Sequence, residues 1–135
     1  MEGHNFVNSI IEQAKNGGCI EAAVDDYACP TSAKELSRVI LRLIKEEQEG
    51  IYHAVCGGSC SRYELAEEIL RLMGKTDVRL EAKKMVELQS SIDGPEYTIL
   101  DNMMLRMCEI ETPVPWKEAL KEYLQEYDCQ RRGGI

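Results

Sequence analysis

Apolar positions recur along this chain at two alternating periods. From Asn5 to Lys15, Phe6, Val7, Ile10, Ile11 and Ala14 fall on one stripe of a helix, which Asn16-Gly17-Gly18 closes. The short apolar run Cys19 to Val24, bounded by those glycines and by Asp25-Asp26, predicts a buried strand. After Pro30, Ser32 and Glu35 stand at capping-box spacing, and Leu36, Val39, Ile40, Leu43 and Ile44 give a second helix its core face. Beyond Gly50, Ile51-Tyr52-His53-Ala54-Val55 reads as a second buried strand, with His53 half-buried in its middle. Gly57-Gly58-Ser59 makes a turn, Ser61 and Glu64 repeat the capping box, and Leu65, Ala66, Ile69, Leu72 and Met73 carry a third helix to Gly74. Val78 to Ala82 alternates apolar with polar, the pattern of a half-exposed strand. Pro95, Pro113 and Pro115 interrupt the next stretch, and Ser90 to Pro95 reads as a functional loop. Trp116, Ala119, Leu120, Tyr123, Leu124 and Tyr127 then form a final amphipathic helix. Residues 129–135 lack a core pattern, so a domain over 1–128 with a loose tail is expected. Helices alternating with short strands predict an α/β fold, its strands partly parallel.

Composition narrows the function. The 135 residues are 44% hydrophobic and 30% charged, the balance of an ordinary globular domain. Sixteen Lys+Arg against 24 Asp+Glu leave a net charge of -8. An acidic surface repels phosphate backbones and anionic lipid, so neither nucleic acid nor a membrane is expected as partner. No apolar run reaches the length of a membrane span, and Met1-Glu2-Gly3-His4 does not open a signal peptide, so a cytoplasmic location is expected. Six cysteines are scattered, and only Cys56 and Cys60 stand close. With His4 and His53 both out of ligand register, no metal site is expected; reduced and mostly buried thiols are.

Catalytic motifs are missing. The glycine-dense turn at Cys56 to Ser61 lacks the G-x-G-x-x-G spacing that lets backbone amides approach a pyrophosphate. No tyrosine has a lysine four residues later, the arrangement that lets a phenol pass a proton. There is no G-x-S-x-G and no histidine placed for a triad. Asp25-Asp26 follows a strand, where either a ligand contact or a turn-capping role is open. The residues alone thus give an α/β domain with no self-contained active site and no catalytic residue.

Six blocks in order resemble the C-terminal half of the dTDP-4-dehydrorhamnose reductase family, extended short-chain dehydrogenases/reductases. Asn5-Phe6-Val7 is similar to its N-F-V segment, and Val24 to Thr31 to its V-x-D-Q-x-G-x-P-T turn. Gly50-Ile51-Tyr52-His53 matches G-[IL]-Y-H, and Ser61 to Ala66 resembles S-W-Y-E-F-A. Pro95 to Asp101 resembles P-x-x-S-x-L-D, and Pro115 to Leu120 the closing P-x-W helix.

The family reduces the C4 ketone of a dTDP-6-deoxy-hexulose with NADPH or NADH, with Mg2+ in some cases. Its cofactor loop and Tyr-x-x-x-Lys lie in an N-terminal Rossmann half. The resemblance therefore implies the substrate-binding portion of an extended short-chain dehydrogenase fold, without the Rossmann half, without a cofactor of its own and inactive alone. The alternative is a non-catalytic regulatory or protein-binding module derived from that fold. The ligand implied is a dTDP-sugar, with Asn5, Thr98 and Arg62 as its contacts. Two departures bear on that. Tyr27 stands where the family has glutamine, and Gly94 where its arginine precedes proline. An arginine fork gives a pyrophosphate two parallel charged hydrogen bonds. Its loss is worth about 2–5 kcal/mol, so binding is expected to be weak or lost unless Arg62 or Lys83 substitutes. A half-fold also exposes its docking face, so a homo-oligomer is expected through Phe6, Val7, Ile10 and Ile11 or through the strand from Cys19 to Val24.

Overall fold

The computed structural model describes residues 5–88 and 95–133. In chain order the elements are α1 (Phe6–Asn16), β1 (Cys19–Ala23), β2 (Tyr27–Ala28), α2 (Ala33–Lys45), β3 (Cys60–Ser61), α3 (Arg62–Leu72), β4 (Arg79–Lys83), α4 (Met103–Met107) and α5 (Trp116–Gly133), with one 3-10 turn at Met85–Leu88. They divide into two compact units. The first holds the chain up to Tyr27 together with Cys60–Tyr97; the second holds Ala28–Ser59 and the chain from Thr98 onward.

The first unit is a parallel strand pair covered by two helices. β1 and β4 pair in parallel register, from Cys19 opposite Arg79 to Ala23 opposite Lys83. Asn5 caps α1 by accepting the Asn8 N–H at 2.9 Å, and the chain leaves α1 through Gly17 at φ 73°, a conformation glycine adopts without strain. Ser61 caps α3: its Oγ accepts the Glu64 N–H at 3.1 Å while Glu64 Oε2 accepts the Ser61 N–H at 2.7 Å. That reciprocal pair satisfies two orphan donors and starts α3 at Arg62. Ile10, Ile11 and Ala14 of α1, Ile20, Ala22 and Ala23 of β1, and Leu65, Ala66, Ile69 and Leu70 of α3 are all buried. Each large aliphatic among them contributes about 1.5–3 kcal/mol of burial.

This packing corrects the expected docking face. Ile10 and Ile11 lie in the unit's own core and β1 buries Ile20, Ala22 and Ala23, while Phe6 and Val7 of the expected stripe are half-buried. The apolar periods do mark the helix and the strand. What a period cannot specify is which apolar face has a partner inside the chain.

In the second unit Val39 of α2, Leu105 of α4 and Ile110 just after it form a core, with Leu43, Tyr52, Ala54 and Cys108 packed against it. α5 buries Trp116, Ala119, Leu120 and Leu124. It continues as helix to Gly133 with exposed side chains, where a loose tail is expected from the sequence. Gln130, Arg131 and Arg132 are good helix formers, so propagation needs no burial there. α2 departs further from expectation. Only Val39 of its five predicted core positions is buried; Leu36, Ile40 and Ile44 are exposed. Ile51 to Val55 forms no strand, because no neighbouring strand pairs with it among the described residues, and His53 is exposed. Of the six cysteines only Cys56 and Cys60 are buried; Cys29 and Cys108 are half-buried, and Cys19 and Cys129 exposed.

Candidate functional site

Arg62 is the first residue of α3, and the capping box fixes its backbone. Its N–H donates to the Asp26 carbonyl at 3.0 Å, and its Nε donates to Asp26 Oδ2 at 3.1 Å. The guanidinium lies over the Phe6 ring, 5.0 Å from its centroid. An arginine held on one edge by a carboxylate and on its face by an aromatic ring is preorganised. Its two terminal nitrogens have no partner among the described residues and point to what this side chain can do, which is to grip an anion with a fork.

Asn5 precedes Phe6, so the structure brings two of the three predicted contacts, Asn5 and Arg62, to one end of the first unit. The Asn5 carbonyl oxygen is committed to its cap, leaving the Nδ2 donor for a ligand. Thr98 is exposed but belongs to the second unit. Lys83 is engaged with Glu21 and Glu81 at 3.8 and 3.9 Å, so it is less suited than Arg62 to replace the family's arginine. Gly94 lies outside the described residues, as does most of the loop from Ser90 to Pro95.

The acidic pair resolves to structural work. Asp26 holds Arg62, and Asp25 Oδ1 accepts the Met85 N–H at 2.9 Å, anchoring the 3-10 turn. One feature has no signal in the sequence pattern. The Tyr27 N–H donates to the Glu96 carbonyl at 2.8 Å, and the Tyr27 and Tyr97 rings sit 6.2 Å apart, both with exposed faces. Tyr27 adjoins Asp26, so an aromatic pair borders the arginine seat. Only the family's glutamine at position 27 marks this place, and it does not foretell a ring.

The glycine-dense turn serves packing. The Gly57 N–H donates to the Val114 carbonyl at 3.1 Å, and the Gly57 carbonyl accepts the Trp116 N–H at 2.9 Å. A Cβ on Gly58 would stand 3.2 Å from Trp116 Cδ1, so the indole packs closely on the turn. Among the described residues no three His, Cys, Asp or Glu side chains gather to hold a metal, and no helix is long and apolar enough to cross a membrane.

Known proteins share this architecture. The solved dTDP-4-dehydrorhamnose reductase of Clostridium acetobutylicum superposes with a TM-score of 0.89 at 35% identity, over 94% of this chain and 45% of that one. The Bacillus anthracis reductase, solved in complex with NADP, superposes at 0.88 with 28% identity, over 93% of this chain and 44% of that one. The spore coat polysaccharide biosynthesis protein SpsK of Bacillus subtilis is 31% identical over 124 residues, 92% of this chain and 43% of its own length. The chain thus spans less than half the length of these relatives. Residues 1–129 match the family model of the RmlD substrate binding domain. With the parallel β1–β4 pair, the capped α3 and its arginine all carried on a backbone shared with those reductases, the chain belongs to the RmlD substrate binding domain family.

Proposed function

We propose that this chain is the sugar-nucleotide-binding portion of an NAD(P)H-dependent reductase of the dTDP-4-dehydrorhamnose type, gripping the diphosphate of a dTDP-sugar with Arg62. The observation that carries this reading is the seat of that side chain. Asp26 and Phe6 fix it, and among the described residues its terminal N–H groups have no hydrogen-bond partner, which suits two parallel bonds to an anion. Asn5 supplies a neighbouring amide donor for a sugar hydroxyl or phosphate oxygen.

The described residues do not fit NADP. The one glycine-rich turn is closed by Trp116 and by its own hydrogen bonds to the 114–116 segment, and no phenol has a lysine at the spacing proton transfer needs. In this reading the 135 residues do not transfer hydride by themselves. The test is NADPH oxidation by the isolated chain with a dTDP-4-keto-6-deoxy-sugar. Background rates are expected; turnover above background would overturn the reading.

A further inference from the structure

Three consecutive residues of the first unit, Asp25, Asp26 and Tyr27, each hold a different kind of surface. Asp25 Oδ1 accepts the Met85 N–H at 2.9 Å and so anchors the 3-10 turn that presents exposed Val86. Asp26 Oδ2 accepts from Arg62 Nε at 3.1 Å. Tyr27 makes a parallel bridge with Tyr97, its N–H donating to the Glu96 carbonyl at 2.8 Å. Bridged residues carry their side chains on one face, so the two rings stand together, 6.2 Å between centroids and tilted by 46°. Neither ring belongs to the buried core: Tyr27 is 38% and Tyr97 67% exposed. A backbone bridge thus holds two open aromatic faces one residue away from the carboxylate that seats the guanidinium.

From this juxtaposition we infer that the Tyr27–Tyr97 pair is a stacking platform for the base of the nucleoside diphosphate whose phosphates Arg62 grips, and that it takes the base without reading which one it is. Such a ligand has two unlike parts, a flat π system and an anion, and this end of the unit carries a matching surface for each. Every base has a π face, so a ring platform serves thymine, uracil and guanine alike. Telling them apart takes donors and acceptors set against the base edge. The polar side chains next to the rings are committed elsewhere, Asp25 to Met85 and Asp26 to Arg62, while Lys83 is engaged with Glu21 and Glu81. The inference deepens the Arg62 reading and rests on it for the phosphates; the ring pair rests on its own geometry.

The test is calorimetric titration of the chain with dTDP, UDP, GDP and inorganic pyrophosphate. The three nucleotides are expected to bind within about threefold of one another, and pyrophosphate about tenfold more weakly. Tyr97→Ala should weaken all three nucleotides about tenfold and leave pyrophosphate unchanged, whereas Tyr97→Phe, which keeps the ring, should match the parent. Because Tyr97 is exposed, both variants should melt with the parent chain. A preference of about thirtyfold or more for dTDP over UDP and GDP would overturn the inference. So would pyrophosphate that binds as tightly as the nucleotides, or a Tyr97→Ala variant that binds dTDP like the parent. A loss seen with dTDP-L-rhamnose but not with dTDP would put the sugar on the rings and overturn it as well. Arg62→Ala separates the two readings: unchanged affinities there, with the Tyr97→Ala loss intact, sink the Arg62 reading and leave the platform standing. No nucleotide binding at millimolar concentration would sink both.

Discussion

Asn102 holds Val55 by both of its backbone groups: Oδ1 accepts the Val55 N–H at 2.9 Å, and Nδ2 donates to the Val55 carbonyl at 2.8 Å. A buried side-chain amide here does what a neighbouring strand would do, fixing the end of the 51–55 segment over the second unit's core. Asn102→Ala leaves both groups unpaired at a part-buried site, so a loss of about 2 kcal/mol is expected. Asn102→Asp keeps the acceptor but loses the donor, and should fall between. Urea unfolding followed by Trp116 fluorescence measures both; an unchanged midpoint in Asn102→Ala would show that water replaces the amide.

Glu35 ties α2 to the segment before α5. Burial pushes its carboxyl up, but the Val114 N–H at 3.0 Å and the Arg38 guanidinium at 3.1 Å outweigh that and hold it below the ordinary value of 4.5. A lowered folded-state value means that the stability is present above about pH 4.5 and is lost as pH falls through the folded value. Glu35→Gln should therefore cost about 1–2 kcal/mol at pH 7. The gap to the parent chain should close as pH falls through the folded value, below the ordinary 4.5, which melting curves across a pH series would resolve.

At Gly58 a φ of 82° combines with an indole carbon 3.2 Å from where a methyl group would sit. Gly58→Ala is expected to destabilise by about 1–2 kcal/mol and to shift Trp116 emission, since either the backbone or the ring has to move. Neutral behaviour on both readouts would mean that the turn relaxes freely.

Thiol reactivity should split the cysteines. Cys56 is fully buried, burial pushes its thiol up, and its N–H is bound to Thr31 Oγ1 at 3.1 Å. Under native conditions Cys19 and Cys129 should alkylate first and Cys56 and Cys60 only on unfolding, as mass spectrometry of iodoacetamide-treated protein would show. Early labelling of Cys56 would contradict the packing at the 56–58 turn.

Local signals are legible where both partners of an interaction lie near in sequence. The caps at Ser32 and Ser61, the stop at Gly17 and the stripe of α1 follow from spacing alone. Arg62 stands out as a candidate contact through its place in the S-x-Y-E block, but its seat does not, because Phe6 and Asp26 reach it from far upstream. The strand pattern of Ile51–Val55 and the stripe of α2 are correct readings of amphipathicity. They fail as predictions of burial because a period marks an apolar face without specifying what packs on it, and Leu36, Ile40, Ile44 and Ile51 are exposed.

The central claim is that Arg62 makes this chain a sugar-nucleotide binder, and calorimetric titration with dTDP-L-rhamnose tests it most directly. Saturable one-to-one binding with a Kd between about 10 μM and 1 mM is expected, weakened roughly tenfold or more in Arg62→Ala. No measurable heat at millimolar ligand, or equal affinity in the two proteins, would contradict the account.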